Sequence, residues 1–148
     1  MKNFHALVCG LLALVMVGCE KQPAGDPSPD THAAARAAAV ESAQVWLALV
    51  DGGNFGQSWE DAAALFKSAV TQADWEKAVS TVRTPLGKLV TRKIKSQQYA
   101  TSLPGAPDGE YVMIQFDTAF EHKAVAVETI TPMLDKDGKW RVSGYFIK

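Results

Sequence analysis

The chain has 148 residues, with 15 lysines and arginines against 16 aspartates and glutamates and a formal net charge of −1. This balance provides no basic field, so we exclude nucleic acid as a partner. Both cysteines, Cys9 and Cys19, lie near the N terminus, and of the histidines only His122 falls in the predicted folded region. We therefore expect no disulfide framework, no metal site and no cofactor.

The N-terminal segment has the organisation of a bacterial export signal. Lys2 supplies a positive charge, and a continuous apolar run follows over residues 6–17. The run stops before Glu20 and Lys21, which makes it too short for a transmembrane helix of about 20 apolar residues. Residues 1–18 are therefore predicted to be a cleavable signal peptide.

The sequence Val15-Met-Val-Gly-Cys19 resembles the lipobox of bacterial lipoproteins, in which the cysteine is acylated and becomes the first residue after cleavage. Met16 departs from the leucine that is usual at its position, whereas the residues after it fit. The resemblance implies a lipid on Cys19 that attaches the protein to the bacterial cell envelope, facing the periplasm, since several acyl chains hold a protein on a bilayer. In the enterobacterial sorting rule, an aspartate directly after the acylated cysteine retains a lipoprotein in the inner membrane. Glu20 occupies that position here, so outer-membrane placement is favoured.

A tether is predicted between the lipid and the folded region. Residues 19–32 are polar, rich in proline and glycine, and have no apolar period. Such a segment cannot bury enough apolar surface to offset the entropy of ordering it, so we expect a disordered linker. Its root-mean-square span is roughly 20 Å. The remainder, residues 33–148, has the length of one domain with one core.

Three helices are predicted in the first half of this domain. Between Ala33 and Asp51, apolar residues recur three and four positions apart, as is typical of one buried helical stripe. Ser58-Trp-Glu-Asp61 resembles a capping box and predicts the start of a second helix. Thr71-Gln-Ala-Asp74 predicts the start of a third in the same way. Pro85 ends that helix, because proline disfavours helical backbone at the residue before it.

Four strands are predicted after Pro85, where the apolar period changes to two. They start near Val90, Val112, Val125 and Trp140, and a hairpin turn at residues 135–138 precedes the last. On the first strand Val90 and Ile94 share parity with Arg92, on a face expected to be half buried. The predicted fold class is α+β, with three N-terminal helices packed on one face of a four-stranded antiparallel meander sheet.

Several stretches of this domain match a known family in order: Leu47-Ala-Leu-Val-Asp-Gly-Gly53 with Ser58-Trp59, residues 82–87, residues 103–111 and residues 140–145. Together they resemble the bacterial domain-of-unknown-function family 4019, from Ala37 to Ile147. The resemblance implies a secreted or lipid-anchored envelope protein and brings no activity, ligand or catalytic residues. The order of helices and then sheet is also similar to the cystatin-like and nuclear-transport-factor-2-like folds, but fold does not decide function.

Arg92 is the candidate site residue of the domain. If its face of the strand is covered, a permanent cation points toward the helices and needs a carboxylate or carbonyl partner. Glu128 has the opposite parity from Val127, so it either faces the other side of its strand or is displaced by a bulge. Three interpretations of Arg92 stay open: a structural ion pair or edge residue, an anion-binding residue in a pocket, or a different strand register.

Other potentially reactive groups have simpler explanations. The four tryptophans fall one to each predicted helix and one to the last strand, where core packing is expected rather than a ligand-stacking pocket. His122 lies between Glu121 and Lys123 in a polar hairpin, where a solvated side chain is expected rather than a general base. We assign no catalytic residues.

Three functions remain open. The first is a non-enzymatic domain that binds an envelope protein or a small ligand while anchored through Cys19. The second is a small cone-fold enzyme, hydrolase-like or isomerase-like, that uses acidic groups and Arg92 in a pocket between the sheet and the helices. The third is a structural envelope-assembly lipoprotein. We favour the first, because the sequence assembles no complete catalytic set.

Overall fold

A computed structural model describes residues 31–148. The predicted signal peptide, Cys19 and most of the predicted tether lie outside the described residues. Within residues 31–148, no helix is both long enough and apolar enough to cross a membrane.

The described part of the chain contains four α-helices and then four strands. The helices are α1 (Ala33–Asp51), α2 (Phe55–Glu60), α3 (Ala64–Ala69) and α4 (Gln72–Arg83), and a 3₁₀ turn follows at Thr84–Leu86. The strands are β1 (Leu89–Ala100), β2 (Tyr111–Phe120), β3 (Lys123–Leu134) and β4 (Trp140–Ile147). They form one antiparallel sheet in the order β1-β2-β3-β4. The α+β class and the antiparallel meander are thus confirmed.

The prediction of three helices was wrong, because the second predicted helix is divided into α2 and α3. Ala63 leaves the helical path there, and its backbone N–H donates to the carbonyl oxygen of Val142 on β4 at 2.8 Å. Ala62 and Ala63 are both fully buried, so small side chains let the backbone approach the sheet. The division therefore results from a contact between residues far apart in the sequence.

The sequence had suggested that Ser58 caps a helix, but this prediction was wrong. It lies inside α2 and is fully buried. Its hydroxyl donates to the Phe55 carbonyl at 2.7 Å and accepts a hydrogen bond from the Trp75 indole at 3.0 Å. Its carbonyl accepts a hydrogen bond from the Trp46 indole at 2.6 Å. Ser58 therefore joins the two core tryptophans.

The start of α4 matches its prediction. Thr71 is the N-cap, and its hydroxyl oxygen accepts a hydrogen bond from the backbone N–H of Asp74 at 3.2 Å. The same hydroxyl donates to the Asp74 carboxylate at 2.7 Å. A cap of this kind depends on residues three positions apart, so the local sequence predicts it well.

The helices cover one face of the sheet and leave the other open. Residues of the covered face, such as Ile114, Ile130 and Val142, pack with Trp46 and Leu47 of α1 in a single core. Val125 on the open face is 82% exposed.

On β1, the expected half-buried face differs from the structure. Val90 and Ile94 are exposed, whereas Arg92 is mostly buried. Register shifts between Leu89 and Thr91 and between Ile94 and Ser96 interrupt the regular alternation. The expectation from strand parity was therefore wrong for the burial of Val90 and Ile94. For Arg92, the side chain does lie on the covered face.

Candidate functional site

Arg92 lies opposite Thr118 in the sheet and binds two carboxylates with two edges of its guanidinium. Along one edge, Nε and Nη2 donate to Oε2 and Oε1 of Glu128 at 2.6 and 3.1 Å. Along the other, Nη1 and Nη2 donate to Oδ2 and Oδ1 of Asp51 at 2.6 and 2.9 Å. This bidentate geometry fixes the guanidinium plane and makes Arg92 the centre of a buried ion-pair network.

Glu128 is fully buried on the inner strand β3. Besides Arg92, its carboxylate has two hydrogen-bond donors: the Thr118 hydroxyl reaches Oε2 at 2.8 Å and the Tyr145 phenol reaches Oε1 at 2.6 Å. A buried carboxylate is tolerated when its charge is paired and its oxygens are hydrogen-bonded, and Glu128 meets both conditions. Its pairing with Phe116 is regular, so Glu128 reaches the helices by strand parity and not through a bulge.

Asp51 joins the network from the helical layer. It is the last residue of α1, where a negative charge is unfavourable beside the carbonyl end of the helix dipole. Two guanidiniums offset that cost: Arg92 binds both carboxylate oxygens, and Arg83 Nη2 donates to Oδ1 at 2.7 Å. Asp51 thereby ties the end of α1 to β1 and to the end of α4.

Arg83, the last residue of α4, is only 5% exposed. Its guanidinium carbon lies 4.2 Å from the centroid of the Phe120 ring, in a cation–π contact. Nη2 is bonded to Asp51, but Nε and Nη1 are buried without a hydrogen-bond partner among the described residues. Every donor nitrogen of Arg92 is bonded, whereas two of the three on Arg83 are not.

The pKa values of Tyr145 and Arg92, two members of the network, are raised above their ordinary values. Burial, together with the negative charge of Glu128 that accepts its hydrogen bond, raises the pKa of Tyr145 far above the ordinary tyrosine value. Burial alone would lower the pKa of Arg92, but its hydrogen bonds to Asp51 and Glu128 raise it overall. Tyr145 therefore stays neutral and Arg92 stays charged throughout the physiological range.

A separate surface feature surrounds Trp140, the first residue of β4. One groove runs between α3 and the β3–β4 turn, and an adjoining groove runs along α1. The same three residues line both: Asp61, Lys139 and Trp140. Most of the exposed wall is apolar, and Val45 of α1, at its edge, is 64% exposed. We call these two adjoining grooves the Trp140 groove.

The β3–β4 turn forms a fixed rim at one end of the Trp140 groove. Arg141 donates from Nη1 to Asp135 at 3.0 Å and from Nη2 to Asp137 at 2.8 Å. The hydrogen bond from Arg141 lowers the pKa of Asp137 below its usual range. The turn is closed by a hydrogen bond from Gly138 N to Asp135 O at 2.9 Å, with Gly138 at φ +78°, so the predicted hairpin is present.

The remaining candidates lie where simple packing or solvation explains them. Trp46 and Trp75 are buried core residues, with ring centroids 5.6 Å apart. His122 is exposed in the β2–β3 turn. Among residues 31–148 there is no group of three or more histidine, cysteine, aspartate or glutamate side chains arranged to hold a metal.

The structure thus joins Arg92 to Glu128, which had been considered beside it, and also to Asp51 and, through Asp51, to Arg83, which had not. Asp51 was predicted only as the end of a helix, yet an acidic residue at a helix C-terminus is unfavourable unless a cation lies nearby, and this signal could have identified it. Arg83 carries no such signal, because basic residues are ordinary in the last turn of a helix.

Comparison with known proteins places the chain in a family. A search of curated proteins finds no match. The profile of a family described as "Protein of unknown function (DUF4019)" matches residues 42–145. This range contains Asp51, Arg83, Arg92, Glu128 and Tyr145, and therefore the whole ion-pair network. The chain belongs to the family DUF4019, whose members are described as proteins of unknown function.

Proposed function

We propose that this chain is a lipid-anchored protein of the bacterial cell envelope whose folded domain binds a partner and catalyses no reaction. The supporting observation is that Glu128 and Arg92, at the centre of the buried network, have their hydrogen-bonding groups engaged within the protein. Glu128 accepts hydrogen bonds from Arg92, Thr118 and Tyr145, and every donor nitrogen of Arg92 is bonded to Glu128 or Asp51. A general acid or base needs a proton or lone pair that a substrate can reach. The network instead holds the helices on the sheet.

The Trp140 groove is the surface best suited to a partner protein. It combines an apolar wall and a partly buried tryptophan with charged side chains, including Asp61 and Lys139, which line both of its parts. Interfaces between proteins have the same organisation, with aromatic and apolar residues at the centre and a polar rim around them. The expected partner is an envelope protein that inserts apolar side chains into the groove.

The anchor rests on the lipobox-like sequence that ends at Cys19. A lipid on Cys19 and a linker of roughly 20 Å would keep the domain near a bilayer. Anchoring raises the effective concentration of the domain for partners in the same membrane, so modest affinity through the groove would be sufficient.

Site-specific photocrosslinking in living cells tests the binding surface. A photoreactive amino acid replaces Val45, at the edge of the Trp140 groove, or Val125, on the open sheet face; both valines are largely exposed, so neither replacement disturbs the core. We expect a discrete protein adduct from position 45 and none from position 125. The adduct should disappear when Ala64, an exposed residue that lines the groove, is changed to Glu.

Two results would reject the proposal. Equal adducts from positions 45 and 125 would mean that the Trp140 groove does not select a partner. Reproducible turnover of a small-molecule substrate by the purified chain, lost in Glu128→Gln but retained in Val45→Glu, would assign catalysis to the buried network instead.

A further inference from the structure

A second groove lies at the end of the sheet opposite the β3–β4 turn, between the turn that follows α1 and the β2–β3 hairpin. Polar groups from four parts of the fold meet there beside the ring of Phe55. Its polar lining residues are Asp51, Arg83, Thr84, Lys88 and Glu121. We call this surface the Arg83 groove.

Arg83, one of the residues that line this groove, carries two unused hydrogen-bond donors. Its Nε and Nη1 are buried and have no hydrogen-bond partner among the described residues, and both nitrogens can act only as donors. A buried donor without an acceptor lowers stability, and it does so more when the group is charged. The two nitrogens thus favour binding of a group that supplies acceptors only.

Both carboxylates that line the Arg83 groove already accept hydrogen bonds from other groups of the protein. Asp51 is shared by two guanidiniums, since Arg92 binds both of its oxygens and Arg83 binds one. Glu121 Oε2 accepts a hydrogen bond from the backbone N–H of Lys88 at 2.8 Å. Lys88 itself is exposed, so its ammonium group can turn toward a ligand in the groove.

We propose that the Arg83 groove binds a small oxyanion, a carboxylate or a phosphate group. Arg83 donates one of its unused N–H groups to an oxygen of the anion, and Lys88 neutralises the remaining charge from the rim. An oxyanion fits because it offers several acceptor oxygens and no donor, and because hydrogen bonds from a guanidinium to such an anion are charge-assisted. Nε and Nη1 are closed off from solvent, so binding requires the side chains around them to move.

NMR titration of the full-length protein in detergent tests this site directly. The Nε–H resonance of Arg83, assigned by its loss in Arg83→Lys, is followed while inorganic phosphate or acetate is added at constant ionic strength. We expect this resonance to shift saturably with one or both anions and to stay unchanged with chloride. The stronger of the two anions indicates whether the natural ligand presents a phosphate or a carboxylate.

Two lysine variants provide the matched comparison. Lys88→Ala should weaken anion binding by about tenfold, because one charge-assisted contact is lost. Lys93→Ala removes another exposed lysine, on β1 and outside the groove, and should leave the dissociation constant within about twofold. The proposal would be overturned if the Arg83 resonance did not shift with phosphate or acetate, or if it shifted equally with chloride. It would also be overturned if Lys88→Ala and Lys93→Ala had the same dissociation constant for the anion.

Discussion

The carboxylate of Glu128 has no exposed surface and holds Arg92 through paired charge. Glu128→Gln keeps the shape of the side chain but removes one of the two negative charges that compensate Arg92. We expect the free energy of unfolding to fall by about 3–5 kcal/mol, because removing one partner of a buried pair leaves the other charge uncompensated. Urea denaturation followed by tryptophan fluorescence measures this loss.

The control for that measurement is Asp117→Asn. Asp117 forms an ion pair with Lys95 at 2.9 Å, but both side chains are well exposed on the sheet. Exposed pairs contribute about 0–1 kcal/mol, so the change should be small. Equal losses in the two variants would mean that the buried network contributes no more than an ordinary surface ion pair.

Tyr145 predicts a specific dependence of stability on alkaline pH. Its folded-state pKa lies far above the ordinary value of 10.0, because of burial and of the adjacent negative charge of Glu128. Below pH 10 the phenol is neutral in both the folded and the unfolded chain, so its ionisation does not change the free energy of unfolding. Above it only the unfolded chain ionises, so stability falls by up to about 1.4 kcal/mol per pH unit.

The comparison of wild type with Tyr145→Phe isolates this group, since all other ionisations are shared. Tyr145→Phe should be less stable at neutral pH, where it lacks the 2.6 Å hydrogen bond to Glu128. The difference between the two proteins should shrink as the pH rises above 10. Parallel stability curves over that range would contradict the assignment of a raised pKa to Tyr145.

Residues differ in how far the sequence predicts their roles. Arg92 was identifiable because strand parity placed a permanent cation on a covered face, and a buried cation must have a partner. Its actual partner from the helical layer, Asp51, depends on how α1 crosses the sheet. That crossing is set by side-chain packing over the whole core and leaves no periodic pattern in the sequence.

The helices show the same distinction between local and distant causes. The cap of α4 was predicted because Thr71 and Asp74 are three residues apart. The division between α2 and α3 was not, because it depends on the hydrogen bond from Ala63 to Val142 of a strand that follows much later in the chain. Ser58, where the sequence resembles a capping box, is instead buried and accepts hydrogen bonds from the indoles of Trp46 and Trp75.

The turn between the helical layer and β1 depends on Gly87, which has φ +74° and ψ −160°. That backbone conformation is essentially restricted to glycine. A Cβ at this position would also lie 2.8 Å from Glu121 Oε2 and 2.9 Å from Glu121 Cβ. We expect Gly87→Ala to lower the free energy of unfolding by about 2 kcal/mol or more through strain and displacement of Glu121.

Gly53 is the matched control for Gly87. It too has a positive φ, of +75°, but a Cβ there would meet nothing within 4 Å. Gly53→Ala should therefore cost only the backbone term, about 1 kcal/mol. Thermal or urea denaturation of both variants measures the difference, and an equal loss would show that neither the special backbone conformation of Gly87 nor its contact with Glu121 adds to the ordinary cost of a positive φ.

At the scale of the whole molecule, the covered face of the sheet differs from the grooves at the two ends of the sheet in how far the sequence predicts them. Its covered face carries the neutralised network and the core, and these were partly predictable because apolar periodicity reports on burial. The Trp140 groove and the Arg83 groove lie at opposite ends of the sheet and combine residues from helices, strands and turns. Surfaces of this kind have no period in the sequence, so only the folded arrangement suggests them.

Attachment to the membrane is the prediction that concerns the N-terminal segment together with the folded domain. If the lipobox-like sequence is processed as its resemblance implies, wild-type protein made in bacteria fed a labelled fatty acid should carry the label on Cys19. Cys19→Ala should lack the label and accumulate as a longer precursor, because the acylated cysteine is required before cleavage. Cys9→Ala is the matched control, since it removes the other cysteine of the chain from inside the apolar run and should leave labelling intact. Label that persists in Cys19→Ala, or that is lost equally in Cys9→Ala, would reject Cys19 as the site of attachment. Both variants keep residues 33–148 unchanged, so the result bears on the anchor alone and is independent of how the domain folds.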